Sequence, residues 1–156
     1  MGRTGRNGLL LPPELASARI AAQAAIDFGG DESERMALVL AEAVTNIVRH
    51  GWCGRESDRI ALEIRHDPRR RALIARLRYP GIPFDWQLPA RTAEDMVHVL
   101  RPEGGLGLLV IHSIADDLAT ETDGPIQELT IVRLRRRPPL PMADEDEDED
   151  EDRRAA

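Results

Sequence analysis

Apolar and polar residues alternate in two neighbouring segments near the middle of the chain. In residues 59–65 and 72–78, apolar side chains recur at every second position. This period of two is typical of β-strands that bury one face. Residues 66–71 contain Asp67-Pro68, which favours a turn, so we predict that the two strands form a hairpin.

Two helices are predicted before this hairpin. The first opens at Pro12 and Pro13, because proline is tolerated in a first helical turn, and it ends at Gly29 and Gly30. Its apolar positions recur with helical spacing at Leu15, Ala18, Ala22, Ala25 and Ile26. The second begins near residues 31–33, where capping residues precede Glu34, and it continues to residue 51.

The remaining segments complete a sheet. Residues 9–11 are a short apolar run suited to an edge strand, residues 106–115 favour an apolar helix, and residues 118–122 and 126–135 favour a hairpin turning at 123–125. A proline-rich connection over 80–105, with a short helix around 93–100, has the length of a functional lid or binding loop. We therefore predict an α+β two-layer sandwich. About three main helices should cover one face of a mostly antiparallel sheet of about four to five strands.

The chain is predicted to contain one folded domain with a segment on either side. Residues 1–8 are interpreted as a flexible arm, 9–137 as the domain and 138–156 as an acidic tail. Residues 144–152 are all acidic and cannot bury apolar surface, so we expect the tail to be disordered. It is either a solubilising segment, or it mimics nucleic acid or blocks a basic surface in cis or in trans.

Composition restricts the function. Outside residues 144–156 the acidic and basic residues are equal in number, so we expect no direct nucleic-acid partner. All 21 basic residues are arginine, which excludes a P-loop lysine, a Schiff-base lysine and a lysine base. The single cysteine, Cys53, fits a reducing compartment. Neither an apolar run of membrane-spanning length nor a signal pattern occurs, and we expect a cytoplasmic protein without a membrane partner.

The second predicted helix carries a polar pair. Glu42 and Asn46 lie about 40° apart on a helical wheel, and His50 continues their row four residues later. Apolar residues form the opposite stripe at Ala37, Leu40, Val44, Ile47 and Val48. The pair is either a solvated polar face or part of a partly covered site. In a site, a carboxylate could orient a hydroxyl and an amide oxygen could hold a metal ion.

Two glycine segments follow. The sequence Glu-Gly-Gly-Leu-Gly-Leu at 103–108 leads into a helix, where backbone N–H groups could bind phosphate oxygens or simply give a flexible helix entry. The sequence Tyr-Pro-Gly-Ile-Pro-Phe-Asp at 79–85 ends a strand. It is either a proline-stiffened turn or a place where Gly81 lets a flat ligand approach while Phe84 anchors the loop.

Other chemistry-bearing residues have simpler interpretations. The four histidines lack metal-ligand spacing, Trp52 and Trp86 are predicted to pack, and Ser113 is predicted to be an ordinary helix serine. Arg133 belongs to a group that includes 135–137, and we predict that this group is an exposed strand end rather than a nucleic-acid site.

Taken together and in this order, residues 42–52, 79–85 and 103–108 resemble the N box and the two glycine boxes of the GHKL (Bergerat-fold) ATPases. The resemblance is specifically to the small bacterial anti-sigma factor serine kinases and covers roughly residues 9–136. It implies binding of ATP and Mg²⁺. The implied partners are a sigma factor, an anti-anti-sigma-like antagonist protein or both, and homodimers are common in the family.

The resemblance also implies site roles. Glu42 would be the general base, Asn46 the Mg²⁺ ligand, and His50 would approach the phosphates. The lid around the triphosphate would consist of Gly104, Gly105, Leu106, Gly107 and Leu108. Gly81 would make room for adenine, and Phe84 would belong to the same box.

Tyr79 departs from the family pattern, which has an aspartate that accepts a hydrogen bond from the adenine amino group. Leaving that amino group unpaired in a pocket would cost about 1–3 kcal/mol. From the resemblance, we expect an ATP-binding regulator that sequesters a partner and phosphorylates a serine of an antagonist. The alternative is a degenerate kinase that keeps the fold as a protein-binding module with weak or no ATP binding.

Overall fold

The structure is a computed structural model and describes residues 7–88 and 106–135. In chain order, its elements are β1 (Asn7–Leu11), α1 (Ala16–Phe28), α2 (Ser33–Asn46), a π-helical turn (Ile47–Gly51), β2 (Ile60–Asp67), β3 (Ala72–Pro80), α3 (Leu106–Ile114), β4 (Asp117–Asp123) and β5 (Ile126–Leu134). No helix among these described residues is long and apolar enough to cross a membrane.

The strands form one antiparallel sheet in the order β1-β2-β3-β5-β4. The register follows from the alternation of apolar residues, because a one-residue slip would turn every apolar side chain to the opposite face. Leu62 of β2 pairs with Leu9 and with Leu77, and Leu77 pairs with Leu129. A row of leucines therefore crosses four strands on the face that packs against the helices.

The core lies between this face and the helices. Buried residues from α1, α2 and α3, including Ala21, Leu40 and Ile111, share one apolar cluster with the inward residues of the sheet. On the other face, Arg76 and Arg78 form ion pairs with Glu128 at 3.1 Å each. The predicted α+β sandwich is confirmed, with five strands and with the helices on one face.

Several boundaries differ from the prediction. β1 begins at Asn7, so the end of the predicted arm pairs with β2. The first helix begins at Ala16 and not at Pro12, because Ser17 Oγ donates to the Pro12 carbonyl at 2.7 Å and closes a separate turn. α2 ends at Asn46, and the predicted last turn of this helix is the π-helical turn.

The prediction for Arg133 is wrong, because its side chain is buried and not part of an exposed strand end. It is only 4% exposed. Its Nε lies 2.6 Å from Glu32 Oε2, and its Nη1 donates to the Ile114 carbonyl at 2.7 Å and to Asp116 Oδ2 at 3.2 Å. Arg133 thus joins the start of α2, the end of α3 and β5.

Some predictions lie outside the described residues. These are the arm through residue 6, the short helix around 93–100, Gly104 and Gly105, and the acidic tail.

Candidate active site

Glu42 and Asn46 lie one turn apart on α2, and both are half-buried because α3 packs beside them. Gly107, the second residue of α3, approaches both side chains. A Cβ atom added to Gly107 would lie 2.6 Å from Glu42 Oε2, and 3.5 and 3.6 Å from the two amide atoms of Asn46. The structure therefore brings together the helical polar pair and the second glycine segment, which lie about 60 residues apart in the sequence.

The Asn46 amide has unused hydrogen-bonding capacity. Its Nδ2 is buried and has no hydrogen-bond partner within the described ranges. A buried polar group in this state costs free energy, and in a native structure it is often explained by a ligand, an ion or a water. The nitrogen and the oxygen of an asparagine amide have nearly the same shape, and a flip of the amide exchanges the donor with the acceptor. The same position could thus donate to an anionic oxygen or present an oxygen to a cation.

The π-helical turn connects α2 to the first glycine segment. The Trp52 N–H donates to the Ile47 carbonyl at 2.7 Å, five residues back, and the Gly51 carbonyl accepts from the Ile82 N–H at 2.9 Å. Trp52 also forms an isolated antiparallel bridge with Gly81. Single π turns inside α-helices occur frequently at functional sites. Here the turn joins the end of α2 to the end of β3.

Only glycine fits at position 81, because the backbone of Gly51 and the ring of Tyr79 lie so close to it. A Cβ atom there would lie 2.4 Å from the Gly51 carbonyl oxygen and 2.6 Å from the Tyr79 ring. One of these contacts is to backbone, which cannot move aside as the end of a side chain can. The neighbours that approach Gly81 are Gly51 and Tyr79. The predicted approach of a flat ligand at Gly81 stays a prediction.

Tyr79 is buried at the end of β3, with 2% of its surface exposed. Its ring packs against Gly51 and Gly81. Burial raises the pKa of the Tyr79 phenol, and a hydrogen bond with the Trp86 side chain partly offsets this rise. Because an indole N–H can only donate, the phenol oxygen accepts this bond. The position therefore holds a buried phenol that stays protonated at neutral pH.

The segment after Tyr79 contains aromatic side chains that contact the π-helical turn and α3. Phe84 stacks on the His50 ring with a centroid distance of 6.0 Å, and it meets Trp86 edge-to-face at 4.7 Å. His112 of α3 places Nε2 2.5 Å from the Trp86 carbonyl oxygen, so the ring nitrogen donates. These contacts connect the segment after β3 to the π-helical turn on one side and to α3 on the other.

The sequence matches the family model of the histidine kinase-like ATPase domain over residues 11–136, which is most of the chain. The chain belongs to this family. The predicted GHKL resemblance is thereby confirmed at the level of the ATPase domain, and membership implies ATP binding. Among solved structures, Acinetobacter baumannii histidine kinase AdeS is similar, with 18% identity over 82% of this chain and 67% of that chain and a TM-score of 0.40. No curated protein matches the chain significantly.

The structure brings some of the predicted site residues together and leaves others apart. Glu42, Asn46 and Gly107 are in contact or nearly so, whereas His50 is exposed on the π-helical turn beside Phe84. Leu106 is 51% exposed, and Leu108 packs against the core. Gly104 and Gly105 lie outside the described residues, so their predicted contact with phosphates stays a prediction.

Sequence reasoning did not assign the link between His112 and Trp86. In the sequence, His112 lacks metal-ligand spacing, and Trp86 is predicted only to pack. The helical spacing of His112 from Gly107 within α3 was the available signal, since it places the histidine on the same short helix as the second glycine segment. Its acceptor is a backbone carbonyl 26 residues away, which side-chain patterns do not reveal.

Replacing Gly107 with alanine should separate folding from ligand binding. The new methyl group would displace the Glu42 carboxylate, which is the mobile end of a side chain. Alanine also favours a helix over glycine by about 0.5–1 kcal/mol, so the free energy of unfolding should change by less than about 1 kcal/mol. We expect Mg-ATP affinity, measured by titration calorimetry, to fall roughly tenfold, because the new methyl group and the displaced Glu42 carboxylate occupy space beside Asn46.

Leu109→Ala is the matched control, because it alters the same helix at a residue that is 37% exposed. It should leave Mg-ATP affinity within about twofold. Equal affinities of the Gly107→Ala variant and the unmodified ATPase domain would show that the approach of Gly107 to Glu42 is not needed for nucleotide binding.

Proposed function

We propose that this ATPase domain is a protein serine kinase of the anti-sigma factor type. It would bind a sigma factor or a similar regulator and phosphorylate a serine of an antagonist protein. The observation that supports the proposal most directly is the close approach of three groups. They are a carboxylate, an amide with a buried atom that has no partner among the described residues, and a glycine at a helix start. These groups suit phosphoryl transfer, which depends mainly on positioning and on neutralising charge.

In this proposal, Glu42 accepts the proton of the attacking hydroxyl. The oxygen of the partner's serine then bonds to the γ-phosphorus of ATP while the bond to the β-phosphate oxygen breaks, and ADP leaves. The Glu42 carboxylate is suited to this role because it is held against Gly107 while part of it remains accessible.

Asn46 would hold Mg²⁺ through its amide oxygen, which is the type of ligand this ion accepts. When bound, Mg²⁺ neutralises negative charge on the phosphates. Backbone N–H groups at the start of α3 would bind phosphate oxygens, together with the residues from Gly104 to Leu108. The chain has no lysine, and this arrangement does not require one.

The second candidate function is a degenerate kinase that acts as a protein-binding module, and it is favoured by Tyr79. The phenol is buried, and burial raises its pKa, so it stays protonated at neutral pH. It therefore offers the adenine amino group a poorer acceptor than a free carboxylate would. The part of the site beside Tyr79 thus fits adenine less well than the part around Glu42 fits the phosphates.

Titration calorimetry with Mg-ATP distinguishes the two functions. We expect binding that weakens when EDTA removes Mg²⁺. An absence of detectable binding at millimolar nucleotide would exclude the kinase and leave the binding module.

A second ligand tests the base end without altering a buried residue. Purine riboside triphosphate lacks the adenine amino group. If that group is left unpaired beside Tyr79, Mg-purine riboside triphosphate should bind at least as tightly as Mg-ATP. Tighter binding of ATP by about fivefold or more, which corresponds to about 1 kcal/mol, would show that the chain pairs the amino group elsewhere.

A further inference from the structure

We propose that the acidic segment 144–152 binds, within the same molecule, to an arginine-rich end of the sheet. We call this surface the arginine end and define it by the exposed or half-exposed residues Arg65, Arg69, Arg70, Arg71 and Arg135. It lies where the β2–β3 turn meets the end of β5, at the opposite end of β3 from Gly81.

The described chain leaves the domain at this surface. The Arg135 N–H donates to the Arg71 carbonyl at 2.8 Å, so the last described residue lies directly beside the turn. The acidic run begins nine residues later, and an extended chain spans about 3.3–3.6 Å per residue. The connection can therefore reach about 30 Å. This is enough for the acidic segment to fold back over the β2–β3 turn, because the connection starts at Arg135 beside that turn.

The arginine end carries an excess of positive charge. Arg70 lies 3.9 Å from Asp67, and Arg135 lies 2.5 Å from Asp31. The Asp67 carboxylate is also occupied by the backbone N–H groups of Arg69 and Arg70, at 3.0 and 3.2 Å. The Arg70 N–H is the largest cause of a lowered pKa of Asp67, and the charges of Arg70 and Arg65 act in the same direction.

Counting Arg35 and the buried cluster of Arg133, four arginines form ion pairs with four acidic residues at this end of the sheet, and Arg65, Arg69 and Arg71 have no ion pair among the described residues. The acidic residues are Asp31, Glu32, Asp67 and Asp116. Two further arginines, 136 and 137, follow in the sequence. Nine consecutive carboxylates complement this excess, whereas the folded part taken as a whole is neutral.

Attachment to the same chain makes many weak contacts effective. Exposed ion pairs contribute little singly, but a short connection raises the local concentration of the tail to the millimolar range. Prolines at 138, 139 and 141 stiffen the connection and reduce the conformations that it loses on docking. The bound tail would shield the arginine end from other acidic molecules.

A labelled peptide tests the proposal by competition. Fluorescein-labelled peptide 138–156 is titrated with the full chain and with a full-length variant in which residues 144–152 are changed to asparagine and glutamine. We expect the peptide to bind the neutralised variant at least tenfold more tightly at 50 mM NaCl, because the native tail occupies the surface. At 500 mM NaCl the difference should disappear, because screening shortens the range of charge interactions.

Changing the surface completes the test. Adding Arg69→Gln and Arg70→Gln to the neutralised variant should weaken peptide binding at least tenfold. The matched control adds Arg19→Gln and Arg55→Gln, which remove two exposed arginines elsewhere, and should leave binding within about twofold. Circular dichroism checks that every variant is folded.

Three outcomes would overturn the proposal. They are equal peptide affinity for the native and neutralised chains, binding that does not depend on Arg69 and Arg70, and a dimer in sedimentation velocity that disappears when the tail is neutralised. The last would place the tail on a second copy of the chain and not on its own.

Discussion

Replacing Arg133 with methionine is expected to lower the free energy of unfolding by about 3–5 kcal/mol. The guanidinium is 4% exposed and reaches Glu32, Asp116 and the Ile114 carbonyl. Methionine fills a similar volume but leaves the Glu32 carboxylate buried without its main partner. Arg35 lies 3.4 Å from the same carboxylate but is more than half exposed, so it offsets only part of this cost.

Chemical denaturation in urea measures this effect, with Arg135→Met as the matched control. Arg135 pairs with Asp31 at the surface, where both side chains are at least half exposed, so its loss should cost less than about 1 kcal/mol. Adding Glu32→Gln to Arg133→Met should restore part of the stability, because the orphaned charge is removed. Similar losses for the two single variants would contradict the assignment of Arg133 as a buried junction.

In the proposed serine kinase, replacing Glu42 with glutamine should lower phosphoryl transfer by about 10²–10⁴-fold, because general base catalysis contributes about this much. The amide has nearly the same shape as the carboxylate but cannot take the proton. Since Asn46 and Gly107 are untouched, Mg-ATP affinity should stay within about threefold. The release of phosphate from ATP measures the slow reaction with water, and transfer of label from ATP to the proposed antagonist protein measures the full reaction.

Glu34→Gln provides the control, since Glu34 is an exposed glutamate in the first turn of the same helix. It should leave both rates unchanged. If Glu42→Gln transferred phosphate as fast as the unmodified chain, Glu42 would not be the base. If neither protein bound Mg-ATP, the binding-module function would stand instead.

The sheet was predictable because its signal is local. The alternation around Leu62 and Leu77 fixes which face is buried, and the two hairpin turns fix the pairing of neighbouring strands. The same holds for Glu42 and Asn46, because helical spacing alone places them on one face. Their meeting with Gly107 followed from the family resemblance, since no spacing rule connects residues so far apart.

The remaining features depend on distant contacts. The sequence around Arg133 is typical of an exposed strand end, and its partner Glu32 is 101 residues away, so no local pattern reveals the pair. The π-helical turn depends on the bridge between Trp52 and Gly81, which helix propensity does not include. The burial of Tyr79 likewise required the positions of Gly51 and Gly81. In each case the local pattern is compatible with two structures, and tertiary contacts select one.

The approach of Gly81 to the Gly51 carbonyl also limits how this sequence can change during evolution. A side chain at position 81 meets backbone at 2.4 Å, so it becomes acceptable only if the end of the α2 helix moves as well. The hydrogen bonds from Ile82 to Gly51 and from Trp52 to Ile47 resist that movement. We therefore expect substitutions at residues 81 and 47–52 to be inherited together among relatives, and single replacements at position 81 to be rare.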